Sequence, residues 1–194
     1  MAIIGKHGVT ANTPGSILLG AGTFHKNLKY EGNAWSGDCI GATSGGGKVS
    51  ITSELVDIEV DGAKVKVKGL TVKHGGTASM EVNFVELSTE MLKTVTHFDV
   101  GTTSAASGYT ELKDKARITE GDYLENFGFV GMTADGSKQI VIIFDYAICT
   151  SGLELEGKNK ENSVIKATLE ACAAIDGDLD TLPVRIYYPE VATV

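Results

Sequence analysis

Cysteine is scarce in this sequence, and the cysteines present follow no disulfide or metal-binding pattern. Cys39, Cys149 and Cys172 are the three in the chain. An odd number cannot all pair with one another, and no two stand in the C-x-x-C spacing that many zinc and redox sites use. We therefore predict buried free thiols, and the sequence indicates neither a disulfide framework nor a zinc site.

Proline is as rare as cysteine, whereas glycine is abundant. The 194 residues include three prolines and 24 glycines. So little proline excludes a collagen-like or proline-rich linker protein, and the glycines predict many tight turns between strands. A chain of this length can bury one full core, so we predict a single domain over residues 1–194. Residues 1–30 are rich in Gly, Thr and Asn without clear periodicity and are predicted to form an N-terminal arm.

Excess positive charge and long apolar runs are also missing. The chain has 17 basic and 25 acidic residues, for a net charge of −8. This balance excludes the electrostatic footprint of a nucleic-acid-binding protein. No apolar run reaches membrane-spanning length, and the first residues lack the charged and apolar regions of a signal peptide. We expect no membrane partner and no specific DNA binding, and we expect the protein to be made in a cytoplasm.

The stretch "GATSGGGKVS", residues 41–50, combines a glycine cluster with a lysine. A phosphate-binding P-loop requires G-x-x-x-x-G-K-[ST], because its backbone N–H groups surround the phosphates and its hydroxyl group binds Mg²⁺. Here Ala42 replaces the first glycine and Val49 replaces the hydroxyl residue. A β-type pattern also follows the glycines, whereas a P-loop opens a helix. We predict no nucleotide cofactor and interpret Gly41–Gly47 as a flexible turn before a strand.

Other short patterns with chemical potential are incomplete. "GDCIG", around Cys39, matches the cysteine form of a nucleophile elbow, but a glycine-rich turn follows it where a helix is required. "DGDLD", residues 176–180, has calcium-loop spacing, yet Thr181 and Tyr187 stand where that loop needs Gly and Glu. The sequence therefore predicts no catalytic, cofactor-binding or metal-binding residues, and a protein that is not an enzyme.

Apolar alternation in the middle of the chain predicts β-strands. It runs over residues 49–51 and continues in the opposite phase over 56–60, which predicts a bulge near Glu54-Leu55. Asp61-Gly62 is a hairpin-turn signal, and alternating Val and Lys over 64–68 predict the returning strand. The following strand, "TASMEVNFVEL", places Met80, Val82 and Phe84 on one face.

One segment has helical periodicity. "STEMLKTVTHF", about residues 88–98, carries apolar residues at helical spacing and has Ser88 or Thr89 as its N-cap. Beyond it, strands are predicted at about 109–118, 123–132, 139–150, 164–173 and 182–189, with a turn at 134–138. "QIVIIFDYAICT" is apolar at nearly every position and is predicted to be a central strand covered on both faces. The sequence thus predicts a mainly β fold with one flanking α-helix.

Taken in this order, the elements resemble the major tail tube proteins of long-tailed, siphovirus-type bacteriophages. The resemblance lies in "GGGKVSITSELVDIEVDG" and in "KVKGLTVKHGGTASMEVNFVELSTEMLKTV", where a strand leads directly into the helix. It covers Gly45 to Val95, and the closing "LPVRIYYP" is similar to the family's last strand. These motifs are structural patterns and not catalytic signatures.

The resemblance implies a β-sandwich or barrel of two packed antiparallel sheets, with the helix and a long hairpin or loop. It also implies hexameric rings stacked into a hollow virion tail tube, through which DNA passes during ejection without specific binding. The partners would be other copies of the chain and other tail proteins. The contacts would use Gly41–Gly47 and the hairpin Asp57–Gly76, both expected to be poorly packed in an isolated subunit. Because a basic lining would hold DNA, we expect acids on the lumen, with Glu154, Glu156 and residues 176–180 as candidates.

A different class of function remains as the alternative. Trp35 and Tyr30 lie close together in a glycine-rich segment and could form the stacking platform of a carbohydrate- or surface-binding β-sandwich module. Such a module would stay monomeric, whereas a tube subunit would self-associate.

Overall fold

The computed structural model describes residues 8–10, 13–102, 105–157 and 159–190. These residues form ten β-strands, one α-helix and two short 3-10 helices, Pro14–Ser16 and Glu120–Asp122. The strands are β1 Leu18–Glu31, β2 Ala34–Cys39, β3 Thr43–Asp57, β4 Thr71–Phe84, β5 Asp99–Val100, β6 Leu112–Lys113, β7 Leu124–Thr133, β8 Gln139–Cys149, β9 Ile165–Cys172 and β10 Val184–Tyr187; the helix is α1 Thr89–Thr96.

Eight strands form one antiparallel sheet in the order β2-β1-β7-β8-β9-β4-β3, with β10 paired to β8. Both β9 and β10 lie on the edge of β8 that faces away from β7. They share this edge because β10 pairs with Val141–Phe144 and β9 with Tyr146–Cys149. The last predicted strand, β10, has a single strand partner, as expected for a terminal position. Strands β5 and β6 form a separate two-stranded sheet.

The large sheet curls so that β3 approaches β1, although four strands separate them in the sheet order. A Cβ atom built on Gly47 would lie 2.4 Å from Cζ of Phe24, so the two strands meet across the core. Met80, Val82 and Phe84 of β4 are buried in this core, as their alternation predicts. The prediction of a mainly β fold is confirmed, and the packed layers belong to one continuous hydrogen-bonded sheet.

The central strand β8 is covered on both faces, as its continuous apolar sequence predicts. Phe144 and Ala147 belong to the main core. Val141 and Ile143 form a second buried cluster with Leu28 of β1. A strand flanked on both faces has no polar side, and this explains the absence of alternation in its sequence.

Helix α1 begins and ends as its sequence predicts. Ser88 is the N-cap and its hydroxyl accepts a hydrogen bond from the Met91 N–H at 3.1 Å. Met91 and Val95 are buried in the main core. His97 ends the helix in the left-handed conformation, and its N–H donates to the Lys93 carbonyl. Among the described residues, no helix is long and apolar enough to cross a membrane.

The stretch 1–30, predicted to be an N-terminal arm, is part of the sheet from Leu18 onward. Strand β1 pairs with both β2 and β7. Its periodicity is hidden because Gly20, Gly22 and Asn27 adopt positive φ and interrupt the alternation of side chains. Residues 1–7 and 11–12 of the predicted arm lie outside the described residues.

Another strand prediction is largely wrong. Within 109–118 only Leu112–Lys113 is a strand, paired with β5. Lys115 in this segment turns inward and donates to Asp99 at 3.0 Å and to Asp122 at 2.8 Å. A two-residue ladder with β5 and the ion pairs of Lys115 together hold this connection against the rest of the chain.

Candidate assembly surface

The hairpin formed by β3 and β4 extends well beyond the rest of the sheet. The two strands pair from Thr43 and Phe84 to Asp57 and Thr71, but β9 covers β4 only between Ser79 and Phe84. We define the distal hairpin as residues 51–78, that is, Ile51–Asp57, the loop 58–70 and Thr71–Ala78. At about 3.3 Å per residue, its two-stranded part projects roughly 20 Å.

The distal hairpin carries many exposed apolar side chains. Val65, in the loop, is the most exposed of them at 78% of its surface. The others are Ile51, Leu55, Val56, Ile58, Val60, Val67 and Val72. Single exposed apolar residues are ordinary, but a contiguous apolar surface on one projecting element indicates a binding surface.

Both faces of the distal hairpin are apolar. Successive side chains of a strand point to opposite faces, so Ile51 and Leu55 share one face and Val56 lies on the other. Val56 is directly opposite Val72 in the β3–β4 register. If the hairpin folded back against the core of its own chain, one apolar face would be covered and the other would remain in water.

The predicted bulge is at the expected height in the hairpin but in the partner strand. The register shifts between Glu54 and Leu55, where Gly75 pairs with Glu54 and Lys73 with Leu55. His74 is therefore the additional residue, and it belongs to β4. The phase change over residues 56–60 has another cause. Val56 lies on the opposite face of an uninterrupted strand from Ile51, and Ile58 and Val60 belong to the loop.

The predicted Asp61-Gly62 turn is present, but the predicted return strand over 64–68 is not. Gly62 has φ 88° and the Ala63 N–H donates to the Val60 carbonyl at 3.1 Å. Loop 58–70 has no strand, and the paired return begins only at Thr71. The alternating lysines and valines of this stretch therefore do not belong to a strand of the ladder; they lie between turns at residues 61–62 and 68–69.

An ion pair organises the base of this loop. The Asp57 carboxylate accepts a hydrogen bond from the Thr71 hydroxyl and pairs with Lys66 Nζ at 2.9 Å. The hydrogen bond from Thr71 and the interaction with Lys66 hold the pKa of Asp57 below its usual range. At neutral pH Asp57 is therefore charged and Lys66 is engaged within the chain.

The interpretation of Gly41–Gly47 as a flexible turn is wrong. Strand β3 begins at Thr43 and runs through the glycines. Gly47 is required by the close approach of Phe24, and Gly45 and Gly46 adopt φ 75° and 76°. The glycines thus permit a bulged strand to lie against the core, and no helix follows them as in a phosphate-binding loop.

Trp35 and Tyr30 do form an aromatic pair, and Tyr187 joins them. Ring centroids lie 5.1 Å apart for Tyr30–Trp35 and 4.8 Å apart for Trp35–Tyr187, with the rings inclined by 55° and 64°. Trp35 is part-buried and packs on the second core cluster. Tilted rings on a core favour packing, because sugar stacking needs an open ring face.

The other residues singled out in the sequence are not brought together into a chemical site. Cys39 is exposed at the end of β2, and a strand follows it where a nucleophile elbow needs a helix. The Asp178 carboxylate accepts from the Asp180 N–H and from the Thr181 hydroxyl, which lowers its pKa. Within the described part of the chain, no three His, Cys, Asp or Glu residues cluster as metal ligands.

Several solved chains are similar to this one, and two of them belong to gene transfer agent particles. No family model matches the sequence, and no curated protein matches it. A chain in the virion of the native gene transfer agent particle is 12% identical with a TM-score of 0.41, covering 79% of this chain and 92% of that chain. A chain in the tail of an empty gene transfer agent particle, from helical refinement with C6 symmetry, is 13% identical with a TM-score of 0.42, covering 81% and 96%. At such low similarity, we infer function from the surfaces of this chain and from its sequence.

Proposed function

We propose that this chain is a structural, non-enzymatic subunit of a bacteriophage tail. The observation that carries the proposal is the distal hairpin, whose two apolar faces are both left in water by the isolated chain. Burying a Val, Leu or Ile side chain fully contributes about 1.5–3 kcal/mol, and eight such side chains are exposed here. Even after the entropy lost on association is subtracted, this surface can drive self-assembly.

The proposed assembly is a hollow tube of stacked rings in the virion tail, with six subunits per ring as the sequence resemblance implies. Residues 1–194 act in it as one domain. Copies of the chain contact one another through the distal hairpin, and other tail proteins contact the ends of the tube. The net charge of −8 suits a conduit through which DNA slides, because an acidic wall does not release counterions from the phosphates.

The test is the size and shape of the purified full-length chain. Light scattering coupled to size exclusion should show species far larger than one 20.4 kDa chain, and negative-stain electron microscopy should show hollow tubes or rings. A chain that remains monomeric at all concentrations tested would contradict the proposal. It would instead favour the carbohydrate- or surface-binding alternative, which a glycan array would then examine.

A further inference from the structure

A second exposed apolar surface lies in the connection between β9 and β10. We define the acidic loop as residues 173–183. Ile175 is 99% exposed and Leu179 is 72% exposed. Asp176, Asp178 and Asp180 are its charged residues, and it contains no Lys or Arg. Its surface therefore combines exposed aliphatic side chains with negative charge.

An open cleft lies beside this loop and can receive an aliphatic side chain. Its volume is about 570 Å³, and its apolar wall includes Ile118, Tyr123 and Ile175. Asp176 also lines the cleft, which places a carboxylate beside the apolar wall. The cleft is thus suited to a ligand that has an apolar side chain next to a positive charge.

The distal hairpin has such a surface. On the return side of its loop, residues 63–70, the charged residues are Lys64, Lys66 and Lys68, and Val65 lies between the first two. Lys66 is paired with Asp57, but neither Lys64 nor Lys68 has an ion pair among the described residues. The acids of this loop, Glu59 and Asp61, precede the turn.

The acidic loop has free charges in a matching arrangement. Asp178 is held within the loop by hydrogen bonds from Asp180 N–H and the Thr181 hydroxyl. Neither Asp176 nor Asp180 has a side-chain ion pair in the part of the chain that the structure describes. The acidic loop thus combines two free carboxylates, Asp176 and Asp180, with exposed Ile175 and Leu179. The return side of the hairpin loop combines two free lysines, Lys64 and Lys68, with exposed Val65 and Val67, so the two surfaces are complementary in charge and both carry apolar side chains.

These two surfaces do not meet within one chain. The acidic loop is anchored beside the base of the distal hairpin, where a Cβ atom on Gly76 would lie 3.0 Å from Leu182 Cδ1. Loop 58–70 begins at the other end of the hairpin, roughly 13 Å along the strands from Gly76 and its partner Ser53, and its turn is farther still. A second copy displaced along the hairpin by this distance or more brings the loop of one copy onto the acidic loop of the next. Because different surfaces meet, the contact is heterologous and can be repeated by every further copy.

We propose that residues 63–70 of one copy dock on the acidic loop of the next copy. Val65 enters the cleft beside Ile175, and Lys64 and Lys68 pair with Asp176 and Asp180. This inference rests on the proposed self-assembly and names the surface that receives the hairpin. In this contact Asp176 and Asp180 lie between subunits, whereas the resemblance in sequence predicts them on the lumen.

Charge reversal tests the pairing. The hairpin variant is Lys64→Glu/Lys68→Glu, the loop variant is Asp176→Lys/Asp180→Lys, and Lys93→Glu/Lys166→Glu is a matched control at two exposed lysines outside both surfaces. Circular dichroism and thermal melting establish that each variant is folded. Sedimentation then gives the critical concentration for assembly. Each single-surface variant should raise it by about ten-fold or more, because like charges face each other, while the control stays near wild type.

A mixture of the hairpin variant and the loop variant tests whether restored charge complementarity restores assembly. An equimolar mixture should assemble near the wild-type concentration, since the acidic hairpin of one variant meets the basic loop of the other. The variant carrying all four substitutions should also assemble. If wild type assembles but both single-surface variants assemble equally well, or if mixing restores nothing, the pairing is wrong while the proposed function stands. If wild type does not assemble, both are overturned.

Discussion

The two halves of the β3–β4 hairpin use the same two strands in opposite ways. At the base, between Gly47 and Val49 on β3, the partner strand places Met80 and Val82 in the core with almost no exposure. In the distal hairpin the large apolar residues continue, yet they are exposed on both faces, and Ala78 at its base is still buried. An apolar pattern that continues past the edge of the core indicates a binding surface.

The base of the hairpin contributes to folding, whereas we expect the distal hairpin to contribute to assembly. The base buries its side chains in the isolated chain, so substitutions there should alter the free energy of unfolding. The distal hairpin contributes little to that core, so substitutions there should alter association and leave folding nearly unchanged.

Removing the loop should abolish assembly without unfolding the chain. The change replaces residues 58–70 by Asn-Gly between Asp57 and Thr71, which a two-residue hairpin accepts. Because the core residues are untouched, the melting temperature should stay within a few degrees of wild type. Electron microscopy should show no tubes. Normal tubes from this variant would show that the loop is not an assembly contact.

One alanine substitution at the base of the hairpin and one in the distal hairpin should have opposite effects. The first should lower the free energy of unfolding, and the second should weaken assembly. Met80→Ala removes a fully buried side chain and should lower the free energy of unfolding by about 2–5 kcal/mol. Val56→Ala, at a 43% exposed position, should change it by about 0.5 kcal/mol or less, yet raise the critical concentration for assembly. Chemical denaturation and sedimentation measure the two quantities. Equal destabilisation by both substitutions would remove the distinction.

Glycines of the hairpin should show the same contrast. A methyl group on Gly47 would lie 2.4 Å from Phe24 Cζ and 2.8 Å from the Glu81 carbonyl oxygen, and so Gly47→Ala should cost about 1–3 kcal/mol. Gly75→Ala, in the distal hairpin, would contact only the Glu54 carboxylate at 3.5 Å and should be tolerated. Thermal melting of both variants decides this. A tolerated Gly47→Ala would restore the interpretation of this segment as a flexible turn.

The smallest expected effect concerns the carboxylate of Asp57, at the end of β3. The pKa of Asp57 is lowered mainly by the hydrogen bond from Thr71, and next by Lys66. A lowered pKa stabilises the folded loop above the usual aspartate pKa, and this contribution is lost as the pH falls through the lowered value. NMR titration of the carboxyl group should therefore show a larger rise in pKa for Thr71→Val than for Lys66→Met. The reverse order would make the ion pair the main cause.

Much of the fold could be predicted from periodicity, and the failures have physical reasons. Strands β4, β7, β8 and β9 and helix α1 follow their apolar patterns, because each buries a regular face in the core. Strand β1 could not be predicted, since positive φ at Gly20, Gly22 and Asn27 interrupts its alternation. The valines of 64–68 alternate like a strand but have no pairing partner.

The candidate surface was only partly predictable. Asp57–Gly76 was expected to be an assembly hairpin, and its exposed apolar residues support that expectation. Its true extent is longer, because the point at which β9 stops covering β4 is a tertiary feature. Ile175 and Leu179 had no signal in the sequence, where aliphatic residues among aspartates are equally compatible with a buried turn.

The central claim is that other copies of the chain cover the distal hairpin on assembly. Backbone hydrogen exchange of the hairpin, compared between free and assembled protein, tests this claim. In loop 58–70, all of which the structure describes, only the backbone N–H groups of Ile58, Ala63 and Leu70 donate to backbone carbonyl groups, and the other amides of the loop have no such hydrogen bond. The loop amides should therefore exchange fast in the free chain and about 100-fold more slowly after assembly, while those of Met80–Phe84 stay protected in both states. Assembled tubes whose loop amides exchange as fast as in the free chain would contradict the account.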